Sequence, residues 1–249
     1  QPIWKFLGGK FGKNVALYRA ISQENPKQML KKVKRYKKEG YTKFQLKVGG
    51  NPNEDIERIK LVKSILDKSD ILVADANTGW LMHDALRVIK ETEHLDIYYE
   101  QPCFSYEENL SIRKKTRNPF ILDENIDSIN SFLRAFQDHA MDIINIKISK
   151  LGGITKSRLL RDLCVQLGIA MTIEDSWGGD IATSAIAHLA HSTPEKFRFS
   201  STDFNSYNTI SYAEGSPKRK KGTFEASDNY GLGLNINDKI IGKPLFVIK

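Results

Sequence analysis

The sequence predicts a parallel (β/α)8 barrel, and three observations carry that prediction. Strand-like and helix-like runs alternate from residue 15 to residue 201, and eight strand-like runs are present. Five of them end on a charged residue, namely Lys47, Asp75, Glu100, Asp123 and Lys147. The intervals between these residues are 28, 25, 23 and 24, the length of one strand, one helix and two short loops. A β/α barrel sets the ends of successive strands around one rim, where active sites sit.

The elements follow in order. Residues 15–22 are β-rich and end at Asn25-Pro26, from which a helix runs to Glu39 and stops at Gly40. A strand over 43–48 closes at Gly49-Gly50. Pro52 opens a helix with Ile56, Ile59, Val62, Ile65 and Leu66 at helical spacing. Then come a strand over 71–76, a helix over 81–92 and a strand over 97–100. A helix over 107–115 and a strand over 120–123 come next, and Ser128 caps the following helix. A strand over 143–148 precedes a helix that follows Gly152-Gly153 and reaches Leu167. The last repeats are a strand over 170–174, a helix over 181–191 and a strand over 197–201. Residues 1–204 are therefore expected to form the catalytic barrel. Residues 205–249, rich in Asn, Gly, Ser and Lys, fit the repeat poorly and are expected to wrap the barrel.

Bulk properties narrow the function. A chain of 249 residues suits one barrel. No apolar run approaches the roughly 18 residues of a membrane span, and no secretory signal is visible at Gln1-Pro2-Ile3-Trp4. Two unrelated cysteines, Cys103 and Cys164, argue against a disulfide framework and for the cytoplasm. The net charge of +8 draws on Lys31-Lys32-Val33-Lys34-Arg35-Tyr36-Lys37-Lys38 and on Lys218-Arg219-Lys220-Lys221. The first reads as the solvated face of a helix and the second as an exposed loop. Neither interleaves with aromatic residues as single-strand binding requires, so neither nucleic acid nor membrane is an expected partner.

The five strand-end charges carry the chemistry. Three carboxylates cannot share a pocket at neutral pH without a cation, and hard oxygen donors suit Mg²⁺. Asp75, Glu100 and Asp123 are the expected ligands. Lys47 and Lys147, on the second and sixth strands, face each other across an eight-stranded rim. Two lysines beside a bound carboxylate suit proton abstraction and return.

These residues resemble the mandelate racemase and muconate lactonizing enzyme family of the enolase superfamily. The similarity lies in Leu46-Lys47-Val48-Gly49, Asp75-Ala76-Asn77, Glu100-Gln101-Pro102, Asp123-Glu124 and Ile146-Lys147-Ile148-Ser149-Lys150-Leu151-Gly152-Gly153. Pro2-Ile3-Trp4-Lys5-Phe6-Leu7-Gly8-Gly9 resembles the segment that joins a capping domain to the barrel. Gly231-Leu232-Gly233 through Gly242-Lys243-Pro244 resembles the C-terminal tail. The resemblance implies a lysine of depressed pKa that removes the proton alpha to a carboxylate, with Mg²⁺ stabilising the enediolate. It also implies that the capping domain is absent from this chain, which makes an inactive capless barrel fragment the non-enzyme alternative, and that the full-length form is a homo-oligomer. Tyr18-Arg19-Ala20-Ile21, Gln45-x-Lys47 and Asp203-Phe204-Asn205 are most similar to members acting on proline betaine, hydroxyproline betaine or 3-hydroxyproline.

A racemase or epimerase of a cyclic amino acid or its betaine is the first expectation, because inversion needs two opposed bases. A 3-hydroxyproline dehydratase and a muconate-type cycloisomerase are the alternatives. Gln45 shares the face of Lys47 and either donates to the substrate carboxylate or is bonded internally. Asp175 either meets a substrate ammonium or caps the next helix. Trp177 and Phe204 offer aromatic faces to a quaternary ammonium or simply pack. Tyr18 can close the pocket. Asn77 and Glu124 support the metal from behind, Glu124 by pairing with Lys147. Lys150 points away by strand alternation and is not counted as a base.

Overall fold

In the computed structural model, which describes residues 1–243 and 245–247, local signals place the helices. Asn25 caps α1 (Pro26–Lys38) by accepting from the Gln28 N–H, and Pro26 occupies the first turn where its missing N–H costs nothing. Met29, Val33 and Tyr36, spaced four and three apart, are buried, which turns the lysines of α1 outward. Asn51 caps α2 (Pro52–Lys63), which ends before Ile65 and Leu66. α3 (Met82–Thr92) follows. Ser105 and Glu108 form a capping box on α4 (Tyr106–Arg113), and Ser128 caps α5 (Ile129–Gln137). α6 (Ile154–Leu167) ends on Gly168 in the left-handed conformation, and α7 is Asp180–His191.

Eight parallel strands form one sheet in chain order, which is the expected (β/α)8 barrel. They are β1 (Tyr18–Ile21), β2 (Lys43–Lys47), β3 (Ile71–Asp75), β4 (Tyr98–Glu100), β5 (Phe120–Leu122), β6 (Ile143–Lys147), β7 (Ala170–Glu174) and β8 (Arg198–Ser201). A single parallel bridge between Leu17 and Ser201 joins the last strand to the first. The β-rich run over 15–22 is not one strand. Val15–Ala16 pairs antiparallel with Thr223–Phe224 of the C-terminal segment, and only Tyr18–Ile21 enters the barrel.

Strand alternation sorts the core into two parts. Phe44, Leu46, Leu72, Ala74, Leu122, Ile144, Ile146, Met171 and Ile173 pack outward against the helices. Val73, Ile121 and Ile143 meet inside the barrel, backed by Ile71, Tyr98, Ala170 and Phe199. Lys43 reaches the Phe199 carbonyl at the closed end. After β8 the chain makes a 3-10 turn, Phe204–Tyr207, then two short pairings and a helix, Asp238–Ile241. The Ile3 N–H donates to the Gly231 carbonyl, so the two terminal segments meet. Pro244 of the tail motif, and positions 248 and 249, lie outside the described residues. Both cysteines are free and buried, and no helix among the described residues is long and apolar enough to cross a membrane.

Candidate active site

The strand register brings the charged residues to one rim. Lys47 pairs with Asp75, Asp75 with Glu100, and Lys147 with Glu174. Asp75, Glu100 and Asp123 are almost wholly buried. Each is held by its own donors. The Lys47 ammonium and the Asn77 N–H bond Asp75, the latter at 2.9 Å. Gln45 Nε2 donates to both oxygens of Glu100 at 3.2 and 3.1 Å, and Asn145 Nδ2 donates to one at 2.7 Å. Lys147 Nζ lies 2.5 Å from Asp123 Oδ2, and Lys150 Nζ bonds the Asp123 carbonyl at 2.6 Å and Oδ1 at 3.1 Å.

Electrostatics follow from this packing. Burial, then the charges of Asp75 and Asp123, push the Glu100 carboxyl well above the ordinary range. Burial favours neutral lysine, but Asp75 and Glu100 outweigh it at Lys47. Glu174 and Asp123 do the same at Lys147. Both ammonium groups are therefore stabilised, the reverse of the depressed pKa expected from the resemblance. The reason is that the lysines neutralise carboxylates that otherwise repel one another. Among the described residues no three His, Cys, Asp or Glu side chains converge in ligand geometry. The donor set nonetheless suits a hard divalent cation: three mutually repelling oxygen groups at adjacent strand ends. A cation there would take over the compensation and release both lysines.

A cavity of about 180 Å³ opens beside this cluster, lined by Tyr18, Ala20, Gln45, Lys47, Asp75, Asp123, Lys147, Glu174, Asp175, Ser176, Trp177, Phe204 and Tyr207. A larger groove of about 740 Å³ between residues 13–14 and 215–228 carries none of the strand-end charges.

Several expected residues act differently from the expectation. Gln45 faces the cavity, but its amide is committed to Glu100. Asp175 accepts from the Ser149 and Ser176 N–H groups and from the Ser149 hydroxyl, so its carboxylate braces the loop after β6 and caps no helix. Glu124 accepts from Asn77 Nδ2 at 3.1 Å and makes no ion pair with Lys147. Lys150 turns back onto Asp123 because strand alternation ends with β6. Asn77 links Lys47, Asp75 and Glu124. Its φ of 43° lies in the left-handed region that asparagine tolerates. Trp177 sits at the rim, with ring centroids 5.3 Å from Phe204 and 5.9 Å from Tyr207.

Four contributors escaped the sequence reading. Glu174 is 3 % exposed and accepts from Tyr18 Oη at 2.6 Å, with Lys147 Nζ 3.7 Å from its other oxygen. Burial and the charge of Asp123 raise its carboxyl to about 7, against the pull of Lys147. Asn145 follows the same alternation as Lys147. Gln101 Oε1 accepts from the Asp123 N–H at 3.0 Å. Tyr207 completes the aromatic wall and is backed by the Arg19 guanidinium 3.6 Å from its ring centroid.

Known proteins resemble this chain along its length. It is 58 % identical over 245 residues to the cis-3-hydroxy-L-proline dehydratase of Roseibium aggregatum, covering 98 % of this chain and 67 % of that protein. It is 29 % identical over 196 residues to the N-succinyl-L-Arg/Lys racemase of Bacillus cereus, covering 77 % and 53 %. A mandelate racemase/muconate lactonizing enzyme structure from Roseovarius nubinhibens superposes with a TM-score of 0.93 at 39 % identity, over 99 % of this chain and 68 % of that one. A second structure from that organism, complexed with magnesium, gives 0.94 at 31 %, over 98 % and 69 %. The chain thus spans 53 to 69 % of the length of these relatives. The enolase C-terminal domain-like family model matches residues 28–240, and the chain belongs to that family of the enolase superfamily.

Proposed function

We propose that the protein removes the proton alpha to the carboxylate of a cyclic amino acid and expels the hydroxyl of the neighbouring carbon, as a cis-3-hydroxy-L-proline dehydratase does. The observation that carries this is that Lys47 and Lys147, from the second and sixth strands, line one small cavity together with the buried carboxylates of Asp75 and Asp123. The volume is below the roughly 300 Å³ typical of pockets for drug-sized ligands and suits a single ring.

Two opposed lysines serve elimination as well as inversion. In a cis-3-hydroxyproline the hydroxyl shares a face with the carboxylate, so the alpha hydrogen lies on the other face. One lysine, neutral, takes that proton. The electron pair left behind forms the C2–C3 double bond as the C3–O bond breaks. The other lysine, as an ammonium, protonates the departing oxygen and water leaves. The enamine product tautomerises to the imine. Mg²⁺ held by Asp75, Glu100 and Asp123 would supply positive charge to the substrate carboxylate as the enediolate develops. Gln45 and Asn145 keep Glu100 oriented, Gln101 and Lys150 fix Asp123, and Asn77 ties Lys47 to Asp75.

The epimerase expectation used the same two lysines. The 58 % relative moves dehydration ahead of it, and relatives named as racemases or epimerases stand at 26 to 30 %. The test is full-length protein with Mg²⁺ and cis-3-hydroxy-L-proline, proline or proline betaine in D2O, followed by NMR. Imine formed from the hydroxylated ring supports dehydration. Deuteration with inversion and no loss of water would favour the epimerase.

A further inference from the structure

Glu174 has no part in the chemistry above, yet it is among the most deeply placed charges of the cavity. It ends β7, beside Lys147 in register on β6. Tyr18, at the start of β1, reaches across to donate to Oε2 at 2.6 Å. The other oxygen, Oε1, has Lys147 Nζ at 3.7 Å and no hydrogen bond among the described residues. Its free lone pairs face a cavity whose carboxylate-binding half lies on β3 to β5. A ring carboxylate seated there would direct the rest of the ring toward β7, β8 and β1.

Lys147 is shared with Asp123, so this buried carboxylate with one hydrogen bond lacks a donor of its own at Oε1. Its carboxyl rises to about 7, burial being the first cause and Asp123 the second. A ligand ammonium would reverse that rise and hold the group ionised. An N–H that points at Oε1 would complete its hydrogen bonding. A tertiary or quaternary nitrogen offers fewer such protons or none.

We propose that Glu174, held by Tyr18, accepts hydrogen bonds from the ring nitrogen of the substrate and selects a free secondary ammonium over N-methylated and N,N-dimethylated rings. This rests on the reading of the cavity as a cyclic amino acid site. Trp177, Phe204 and Tyr207 then close the apolar side of the ring without deciding the state of its nitrogen.

The test is alpha-proton exchange in D2O by the full-length protein with Mg²⁺ on L-proline, N-methyl-L-proline and proline betaine, with KM measured for each. KM should rise stepwise along the series, at least tenfold from first to last, because each methyl removes a charge-assisted hydrogen bond. Glu174→Gln should compress that ratio toward one, and Tyr18→Phe should move it the same way by less. Wild type that takes the betaine as readily as proline overturns the proposal without any variant. So does a Glu174→Gln enzyme whose exchange falls equally on all three, which would make Glu174 a brace for Lys147, and so does a ratio unchanged in that variant, which would make the selection steric. Absence of exchange on all three would overturn this proposal and the site reading together. Water loss from cis-3-hydroxy-L-proline is scored separately, so failure of dehydration alone leaves the nitrogen preference measurable.

Discussion

Replacing each lysine of the cavity in turn is the most direct way to separate its two halves. In Lys147→Met the side chain loses its contact with Asp123 at 2.5 Å and its approach to Glu174 at 3.7 Å. Lys150 remains 3.1 Å from Asp123, so that buried carboxylate keeps a cation and the fold survives. In Lys47→Met, Asp75 keeps the Asn77 N–H at 2.9 Å. The loss is therefore catalytic. General acid or base assistance is worth about 10²–10⁴-fold, which is about 3–5 kcal/mol of barrel-mouth transition-state stabilisation at 1.36 kcal/mol per tenfold. Two assays on the same variants distinguish the roles: exchange of the L-proline alpha proton, which needs only the base, and water loss from cis-3-hydroxy-L-proline, which needs both groups. One variant should keep exchange and lose elimination, and the other should lose both. If both variants eliminate water within tenfold of wild type, or both lose exchange while still binding Mg²⁺, the opposed base and acid are wrong.

Further outcomes follow from the same geometry. Asp75→Asn, Glu100→Gln and Asp123→Asn should each weaken Mg²⁺ binding in calorimetry, and unchanged affinity in all three would remove the metal assignment. Gly49 has φ +97°, and a Cβ there would stand 2.2 Å from the Ala76 carbonyl oxygen. Gly49→Ala should therefore cost about 1–3 kcal/mol in urea unfolding, and a loss under 0.5 kcal/mol would refute the strain. His188 and His191 accept the Trp4 and Ala226 N–H groups at Nδ1, and burial lowers the pKa of both rings. The unfolded rings take protons first, so this contribution to stability is present above about pH 6.5 and is lost as pH falls below it. Glu100 and Glu174, with raised pKa values, act in the opposite sense. The contribution is read as the difference in Tm slope between wild type and His191→Gln from pH 7.5 to 5.5, and equal slopes would rule it out.

The barrel was legible because each repeat is local: a capping Asn or Ser, a helical stripe, a short apolar run and a strand-end charge. The five charges were legible for the same reason. Glu174 was passed over for Asp175, although strand alternation from Thr172 selects Glu174 as the inward residue. The same count from Lys147 selects Asn145. Lys150 was misread because alternation stops where the strand does, and its ammonium follows the nearest buried carboxylate. Tyr207 and the pairing of Val15–Ala16 with Thr223–Phe224 rest on contacts some two hundred residues apart or beyond the repeat. No periodicity encodes these. The raised lysine pKa values were equally invisible, because they depend on which carboxylates each ammonium reaches.

The seam between β8 and β1 has a consequence for how such a site can change. The strands that carry the three carboxylates and both lysines are joined by an unbroken run of ladders from β2 to β7. Where the barrel closes, one bridge spans the gap. The β1 backbone there gives its Ala20 N–H to the Tyr207 hydroxyl, and the adjoining Leu17 N–H goes to the Gly222 carbonyl. Substitutions in Phe204 or Tyr207, which follow β8, can therefore reshape the aromatic wall of the cavity without interrupting those ladders. One molecule thus joins a charged engine braced by ladders to a replaceable socket. New substrates can be recruited at the socket while the engine keeps its geometry.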